Sequence, residues 1–208
     1  HARSRPHLVE RKATHRAIAL AEILDAPVSL VRASAREAIN EIRSAKDRGL
    51  KVFGEICPQY PFLTEDDLTK HEFEDAKCLC SPPPRDAANQ AYVWAGLCNG
   101  TFQVVSSDHA PTHFGDAKGK KIRGTDASFR WIPNSIPGLE TRMLLLFSHG
   151  VLAGRITINQ FVALTATNAS RIYGLYPRKG TITAGADDDM VIWDSETART
   201  IRNQDLHH

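Results

Sequence analysis

The sequence has no long hydrophobic run, little imbalance of charge and few cysteines. Its apolar runs are as short as Met143–Phe147, whereas a membrane-spanning helix needs about 20 apolar residues, so we expect no membrane partner. The 26 basic and 24 acidic residues leave a net charge of +2, which is too small to predict a nucleic-acid partner. Four cysteines in 208 residues do not indicate a disulfide scaffold, and reduced thiols predict a cytoplasmic protein.

The beginning of the chain lacks two further features. No apolar segment follows the basic stretch 1–6, so no secretory signal peptide is predicted. The first residue is His1 rather than Met. We therefore expect the chain to be a piece of a longer protein.

Short apolar stretches alternate with helical patterns in the first half of the chain. Strands are predicted at 28–31, 52–55 and 102–105, with a helix before the first strand and helices between the strands. Ser34, followed three residues later by Glu37, matches a capping box at the start of the helix after the first strand. This order predicts parallel strands joined by right-handed crossovers, which is an α/β fold.

A long stretch without periodicity follows the third strand. Within residues 110–137, Gly, Lys, Asp and Thr dominate from Gly115 to Asp126, and a loop of this length in a compact domain is usually functional or mobile. It contains a basic run with acidic neighbours and no interleaved aromatic residues, which predicts a solvated surface loop. The basic residues are Lys118, Lys120, Lys121 and Arg123.

The remaining chain shows two different patterns. Helices are predicted at 139–148, 157–164 and 168–173. Beyond Lys179 the pattern predicts a β-hairpin or meander over 181–193, with an acidic turn at 187–189. We therefore divide the chain near Gly174, into segments 1–174 and 175–208.

Asp108 is the sharpest candidate for chemistry. It follows the strand 102–105, and α/β folds carry their chemistry at the carboxyl ends of strands. A carboxylate there can bind a metal or act as a general base. The alternative is that Asp108 caps a turn and that His109 is a surface residue.

The spacing of the cysteines does not predict a metal site. Cys78 and Cys80 are separated by one residue, whereas structural zinc sites favour two to four, and no second pair lies at a matching distance. Cys57 and Cys98 also fit packing roles. Core or half-buried thiols are therefore predicted.

Several longer strings resemble the dihydropyrimidinase/hydantoinase branch of the amidohydrolase superfamily. The matching strings are Ser4–Pro6, Gly54–Tyr60, Cys80–Arg85, Ser107–Pro111, Ile132–Asn134, Pro137–Glu140 and Gly174–Gly180. They occur in the family's order and span nearly the whole chain.

The resemblance implies a fold and a mechanism. It implies the C-terminal part of a (β/α)8 TIM-type barrel, followed by the first strands of a small β-sandwich domain. Family members hold two divalent metals, usually zinc, and a bridging hydroxide attacks the ring amide of a dihydropyrimidine or hydantoin. Carried over to this chain, Asp108 is the metal ligand and proton shuttle, and the backbone groups of Ser81 and Asn134 hold the cyclic imide. The resemblance also implies a homo-oligomer, and we expect this chain to be stable only beside its missing N-terminal half or a partner.

The sequence departs from the family at the metal ligands. It contains no His-x-His pair, and Arg32 occupies the position of an expected histidine ligand in a Val-His-x-Ser pattern. A guanidinium is permanently cationic and only donates hydrogen bonds, so it cannot bind a metal. We expect it to pair with Asp108 if the two strand ends converge. With Asp108 as the sole expected ligand present, this chain alone is not expected to retain zinc.

Three interpretations follow. The first is a cyclic amidohydrolase whose activity belongs to the complete protein, which the motifs at Ser81, Asp108 and Asn134 favour. The second is a non-catalytic, metal-free homologue that acts in assembly or partner binding, which Arg32 favours. The third is an active enzyme in which Arg32 is an isolated substitution.

Overall fold

A three-stranded parallel sheet forms the centre of the fold. The structure is a computed structural model that describes residues 1–187 and 189–207. Strands β1 (Val28–Leu30), β2 (Val52–Ile56) and β3 (Phe102–Val105) lie in the order β1-β2-β3. Val28 pairs with Val52, and Ile56 pairs with Val105. All three predicted strands and their parallel pairing are therefore confirmed.

Helices surround this sheet and continue beyond it. They are α1 (His7–Ile23), α2 (Arg36–Asp47), α3 (Gln59–Phe62), α4 (Asn89–Cys98), α5 (Leu139–Leu146), α6 (Ile158–Val162) and α7 (Asn168–Ile172). Short 3-10 helices occur at Ala2–Ser4, Glu65–Thr69, Glu74–Cys78, Phe129–Trp131 and Asn203–Asp205, and π-helical turns at Phe147–Leu152 and Ala163–Thr167. Within the described residues, no helix has the length and apolar character needed to cross a membrane.

The main core lies between the sheet and helices α2 and α4. Ile39 and Ile42 of α2 are buried, as their helical spacing predicts, against the side of the sheet that carries Ile56 and Phe102. Gly54 is required in β2 because a Cβ atom there would lie 2.8 Å from the carbonyl oxygen of Thr101. The close approach of β2 to its neighbour therefore depends on a residue without a side chain.

The predicted capping box at the start of α2 is wrong. Ser34 is fully buried, and both its backbone N–H and its hydroxyl donate to the carboxylate of Glu10, at 2.7 and 2.6 Å. The first turn of α2 is capped from another helix instead, because the Arg36 N–H donates to Oδ1 of Asn89 at 2.7 Å. The Asn89 side chain of α4 therefore takes the place of the local cap, while Glu10 of α1 binds the Ser34 groups that were expected to form it.

A second, smaller core supports the long stretch after β3. We call it the satellite core, and it comprises Phe73, Ala76, Leu79 and Ile132. The prediction of a solvated basic loop is wrong for Lys120, whose exposed fraction is only 2%. Lys118 and Arg123 of the same run are exposed, as predicted.

The C-terminal segment packs on the last helices without regular pairing. Trp193 stacks on Phe147, with ring centroids 4.5 Å apart. Residues 175–187 and 189–207 contain no strand, so the predicted hairpin at 181–193 is not formed there, and Ile182 and Ile192 are 86% and 97% exposed. An isolated hairpin is marginally stable without a covering layer, which explains the difference. Asp188 of the predicted acidic turn lies outside the described residues, and the division near Gly174 stays a prediction.

Candidate active site

The carboxyl ends of the strands bring two charged residues to one edge of the sheet. Arg32 follows β1 and Asp108 follows β3, and both have a left-handed backbone, with φ of 58° and 45°. That conformation costs a residue with a Cβ atom about 1–2 kcal/mol. Such strained residues cluster at functional sites, where the surrounding structure holds them.

Arg32 and Asp108 face each other across this edge. The Nη1 atom of Arg32 lies 3.4 Å from both Oδ1 and Oδ2 of Asp108, which confirms the predicted pairing. Their side chains are 40% and 35% exposed, and partly solvated pairs of this kind add little stability. The consequence is chemical: a guanidinium covers both oxygen atoms with which Asp108 would bind a metal.

Arg32 also connects Asp108 to Ser81. Its Nη1 donates to the carbonyl oxygen of Ser81 at 3.2 Å. The hydroxyl of Ser81 accepts a hydrogen bond from Nη1 of Arg5, which precedes α1. The Nη1 atom of Arg32 therefore contacts both Ser81 and Asp108, so three residues identified from the sequence lie together at this edge of the sheet.

Asn134 is exposed, and the backbone on both sides of it is held by Lys120. The Nζ atom of Lys120 donates to the carbonyl oxygens of Pro133 at 3.0 Å and of Ser135 at 2.5 Å. It also reaches the carbonyl oxygen of Leu79, at 3.5 Å. Burial lowers the pKa of Lys120 to about 8. Sequence reasoning missed this residue, since no periodicity distinguishes it from its exposed neighbours.

Thiols and a carboxylate lie at the end of β2. Burial raises the pKa of Cys57 to about 12, and its Sγ atom lies 3.3 Å from Oγ of Ser106. That hydroxyl donates to Oε1 of Glu55 at 2.6 Å. Burial also raises the pKa of Cys80 to about 12. The two thiols are inert packing groups, as predicted, and Cys98 differs because it is exposed.

His109 has a structural role next to Asp108. Its Nδ1 atom accepts hydrogen bonds from the backbone N–H groups of Gly138 and Leu139, at 3.2 and 3.3 Å. It therefore caps the start of α5 and is half-buried rather than a surface residue. The alternative in which Asp108 itself caps a turn is replaced by its pairing with Arg32.

The residues of this chain do not fit a pair of metal ions. Across residues 1–187 and 189–207, no group of three or more His, Cys, Asp or Glu side chains is arranged to hold a metal. Asp108 is a single carboxylate and faces a fixed cation. A protein zinc site normally takes three or four ligands.

A parallel α/β sheet with a charged pair at its carboxyl edge is the arrangement in which α/β proteins place their ligand and active sites. The model of the amidohydrolase family matches residues 79–206, and the chain belongs to this family. The D-hydantoinases of Rhizobium radiobacter and Ralstonia pickettii are 44% and 43% identical over 208 residues, which is 100% of this chain and 44% of each relative. The chain thus spans less than half the length of these relatives.

Solved structures agree with the sequence relatives. A D-hydantoinase structure has 43% identity and a TM-score of 0.91, covering 98% of this chain and 43% of that protein. The dihydropyrimidinase of Brevibacillus agri NCHU1002 has 44% identity and a TM-score of 0.85, covering 90% and 40%. The resemblance stated from the motifs is therefore confirmed.

Proposed function

We propose that the chain forms part of a cyclic amidohydrolase that opens the ring amide of hydantoins or dihydropyrimidines. The observation that carries this proposal is 44% identity to a D-hydantoinase over all 208 residues. The match spans the whole chain and so covers the strand ends, at which chemistry occurs in α/β proteins.

The proposed architecture is the last part of a barrel. A full TIM barrel takes about 250 residues and eight parallel strands, whereas this chain supplies the three parallel strands β1–β3. In this proposal segment 1–174 completes a barrel with further strands, and segment 175–208 supplies the first strands of a small β-sandwich. The strong exposure of Ile182 and Ile192 supports a covering layer outside this segment.

The proposed chemistry uses three residues. Asp108 accepts a proton from the attacking water and returns it to the ring nitrogen as the C–N bond of the amide breaks. The backbone groups of Ser81 and Asn134 bind the imide N–H and carbonyl groups of the ring. The contacts of Arg32 to both Ser81 and Asp108 support this arrangement, because they bring the carboxylate next to the ring-binding loop.

Zinc is the metal that the resemblance implies, and this chain offers it one carboxylate. Further ligands would have to come from other parts of the protein, and Arg32 opposes binding at Asp108. No step is therefore assigned to a metal. A homo-oligomer and a cytoplasmic location remain predictions.

The pairing of Arg32 with Asp108 favours a second candidate, a non-catalytic relative that acts in assembly. The guanidinium lies against both carboxylate oxygens, so it occupies the atoms that would accept the proton of the attacking water. Such a protein would keep the fold and the ring-binding loops but would not open the ring.

The two candidates are separated by an assay of the complete gene product that contains residues 1–208. Hydantoin and dihydrouracil are supplied, and the N-carbamoyl products are quantified. The enzyme proposal expects turnover that is lost in Asp108→Asn and kept in Asp126→Asn, which changes an exposed acid in the long loop after β3. A folded protein that opens neither ring would refute the hydrolase and leave the assembly role.

A further inference from the structure

We propose that Lys120 is a positioning residue that sets the spacing between the loops of Ser81 and Asn134, and thereby the affinity for the cyclic substrate. The inference rests on the proposed function of these two loops. It concerns a residue that touches no substrate and acts through the backbone of both loops.

The fold directs Lys120 inward by a tight turn. The Lys120 N–H donates to the carbonyl oxygen of His113 at 3.0 Å, and the Gly119 N–H donates to the carbonyl oxygen of Asp116 at 2.9 Å. A Cβ atom at position 119 would lie 2.0 Å from the His113 oxygen, so only glycine fits there. The turn thus fixes the backbone from which the lysine side chain enters the interior.

The ammonium group meets as many acceptors as it has donors. An ammonium carries three N–H donors and no acceptor, and Nζ of Lys120 has three carbonyl partners, those of Leu79, Pro133 and Ser135. None of the ion pairs found among the described residues includes Lys120. A buried cation without a carboxylate partner depends on these hydrogen bonds.

These three carbonyl groups belong to the two proposed ring-binding loops. Leu79 precedes Ser81 by two residues, while Pro133 and Ser135 flank Asn134. In the described part of the chain, no direct hydrogen bond joins residues 79–81 to residues 133–135. Below the loops, Leu79 and Ile132 share the satellite core. The apolar contact holds the loops together, and Lys120 fixes their distance and orientation.

The spacing matters because both loops must hold the same small ring. Groups that grip a substrate lose much of their effect when they are displaced by about 1 Å. Removing the ammonium leaves three carbonyl groups without a donor, and the loops are then free to move apart. We expect the loss to fall on substrate binding, since Asp108 is held by Arg32 and not by Lys120.

The test compares Lys120→Met with Lys118→Met in the complete gene product. Methionine replaces the aliphatic part of the side chain but lacks the ammonium group and its donors, and Lys118 is an exposed neighbour in the same loop. For hydantoin, Lys120→Met is expected to raise KM on the order of tenfold or more, with a smaller change in kcat, while Lys118→Met changes neither. Lys120→Arg, which keeps the charge and the donors, is expected to lie between Lys120→Met and the unmodified protein.

The KM readout distinguishes positioning from stability. A role in stability alone would lower the melting midpoint and the active fraction, hence the apparent kcat, without moving KM. Unchanged KM in Lys120→Met overturns the inference. If Lys120→Met does not fold, the test uses Lys120→Arg and Gly119→Ala instead. Unchanged KM in both of these variants would likewise overturn the inference. If the unmodified protein shows no turnover, the proposed function is refuted together with this inference. If the unmodified protein does turn over and the two methionine variants have equal KM, only the role of Lys120 is refuted.

Discussion

Arg32 and Asp108 stand opposite each other at the ends of β1 and β3, with Nη1 of the arginine 3.4 Å from each carboxylate oxygen. The pair joins the ends of two strands that are not neighbours, since β2 lies between them. It places a permanent positive charge on the one carboxylate that the family resemblance identifies as a metal ligand. The charge of Arg32 therefore bears directly on whether this site binds metal.

Replacing Arg32 by histidine should restore metal affinity in the complete gene product. The change removes the guanidinium from both oxygens of Asp108 and adds an imidazole, which is a common zinc ligand. We expect Arg32→His to bind more zinc per chain than the unmodified protein, measured by elemental analysis after dialysis. Arg36→His, on the exposed side of α2, is the control. Equal zinc content in both variants would contradict the prediction.

A buried ion pair should stabilise the junction between α1 and the segment before α4. Arg85 is only 3% exposed at its side chain and donates to Glu10 at 2.7 Å and to Oγ of Ser34 at 3.0 Å. Removing one partner of a buried pair costs about 3–5 kcal/mol, because the other charge stays buried. Arg85→Met should lower the free energy of unfolding in urea by that amount.

The control for this pair is Arg3→Met, which removes an exposed arginine near the start of the chain. A double variant with Glu10→Gln should lose less than the two single losses together, since each single variant already breaks the pair. Additive losses would show that Arg85 and Glu10 do not act together.

The organisation of the sheet and the pairing at its edge followed from the sequence. Breakers on both sides of each strand fixed β1–β3, and parallel strands bring their carboxyl ends to one edge, so Arg32 and Asp108 had to approach each other. The hydrogen-bond partners of the buried polar groups could not be predicted from the sequence. Ser34 meets Glu10 because α1 packs across α2, and that contact is set by tertiary packing.

Lys120 shows the same limit in the loop after β3. A run of basic residues with acidic neighbours predicts a solvated surface, and this holds for Lys118. Which lysine turns inward depends on a backbone turn and on carbonyl groups far along the chain, including that of Leu79. Gly119 directly before Lys120 is the one local signal of that turn, and a single glycine in a glycine-containing loop does not identify it.

Thiol reactivity should separate the exposed Cys98 from the buried Cys57 and Cys80. Burial raises the pKa of Cys57 and Cys80 to about 12, so both stay protonated near pH 8.5, where an unfolded chain with ordinary thiols forms thiolates. Iodoacetamide at that pH should label the exposed Cys98 first and reach the other two only after denaturant is added, as measured by peptide mass spectrometry. Early labelling of Cys57 in the native protein would contradict the burial.

These two thiols also set a direction for stability at alkaline pH. Because the folded chain keeps protons that the unfolded chain releases, each thiol lowers the free energy of unfolding as the pH rises from about 9 towards 12. Lys120 has the opposite effect between about 8 and 10.5, since its pKa is lowered in the folded chain. We therefore compare the free energy of unfolding at pH 8 and at pH 10.5. The change between these two pH values should be less unfavourable in Cys57→Ala than in the unmodified protein, because the variant lacks one of the two thiols.

Adding a side chain at Gly54 should destabilise the fold, although β2 is otherwise an ordinary strand. A Cβ atom there would lie 2.8 Å from the Thr101 oxygen and 3.1 Å from the ring of Phe102, and backbone atoms cannot yield as a flexible side chain can. Gly54→Ala should lower the free energy of unfolding by about 1–3 kcal/mol, as overpacking of a core does. Gly115→Ala, whose added Cβ meets nothing within 4 Å, is the matched control and should stay within about 0.5 kcal/mol. Equal urea midpoints for the two variants would mean that β2 and β3 can separate without cost. The alignment of the strand ends at Arg32 and Asp108 would then need another support.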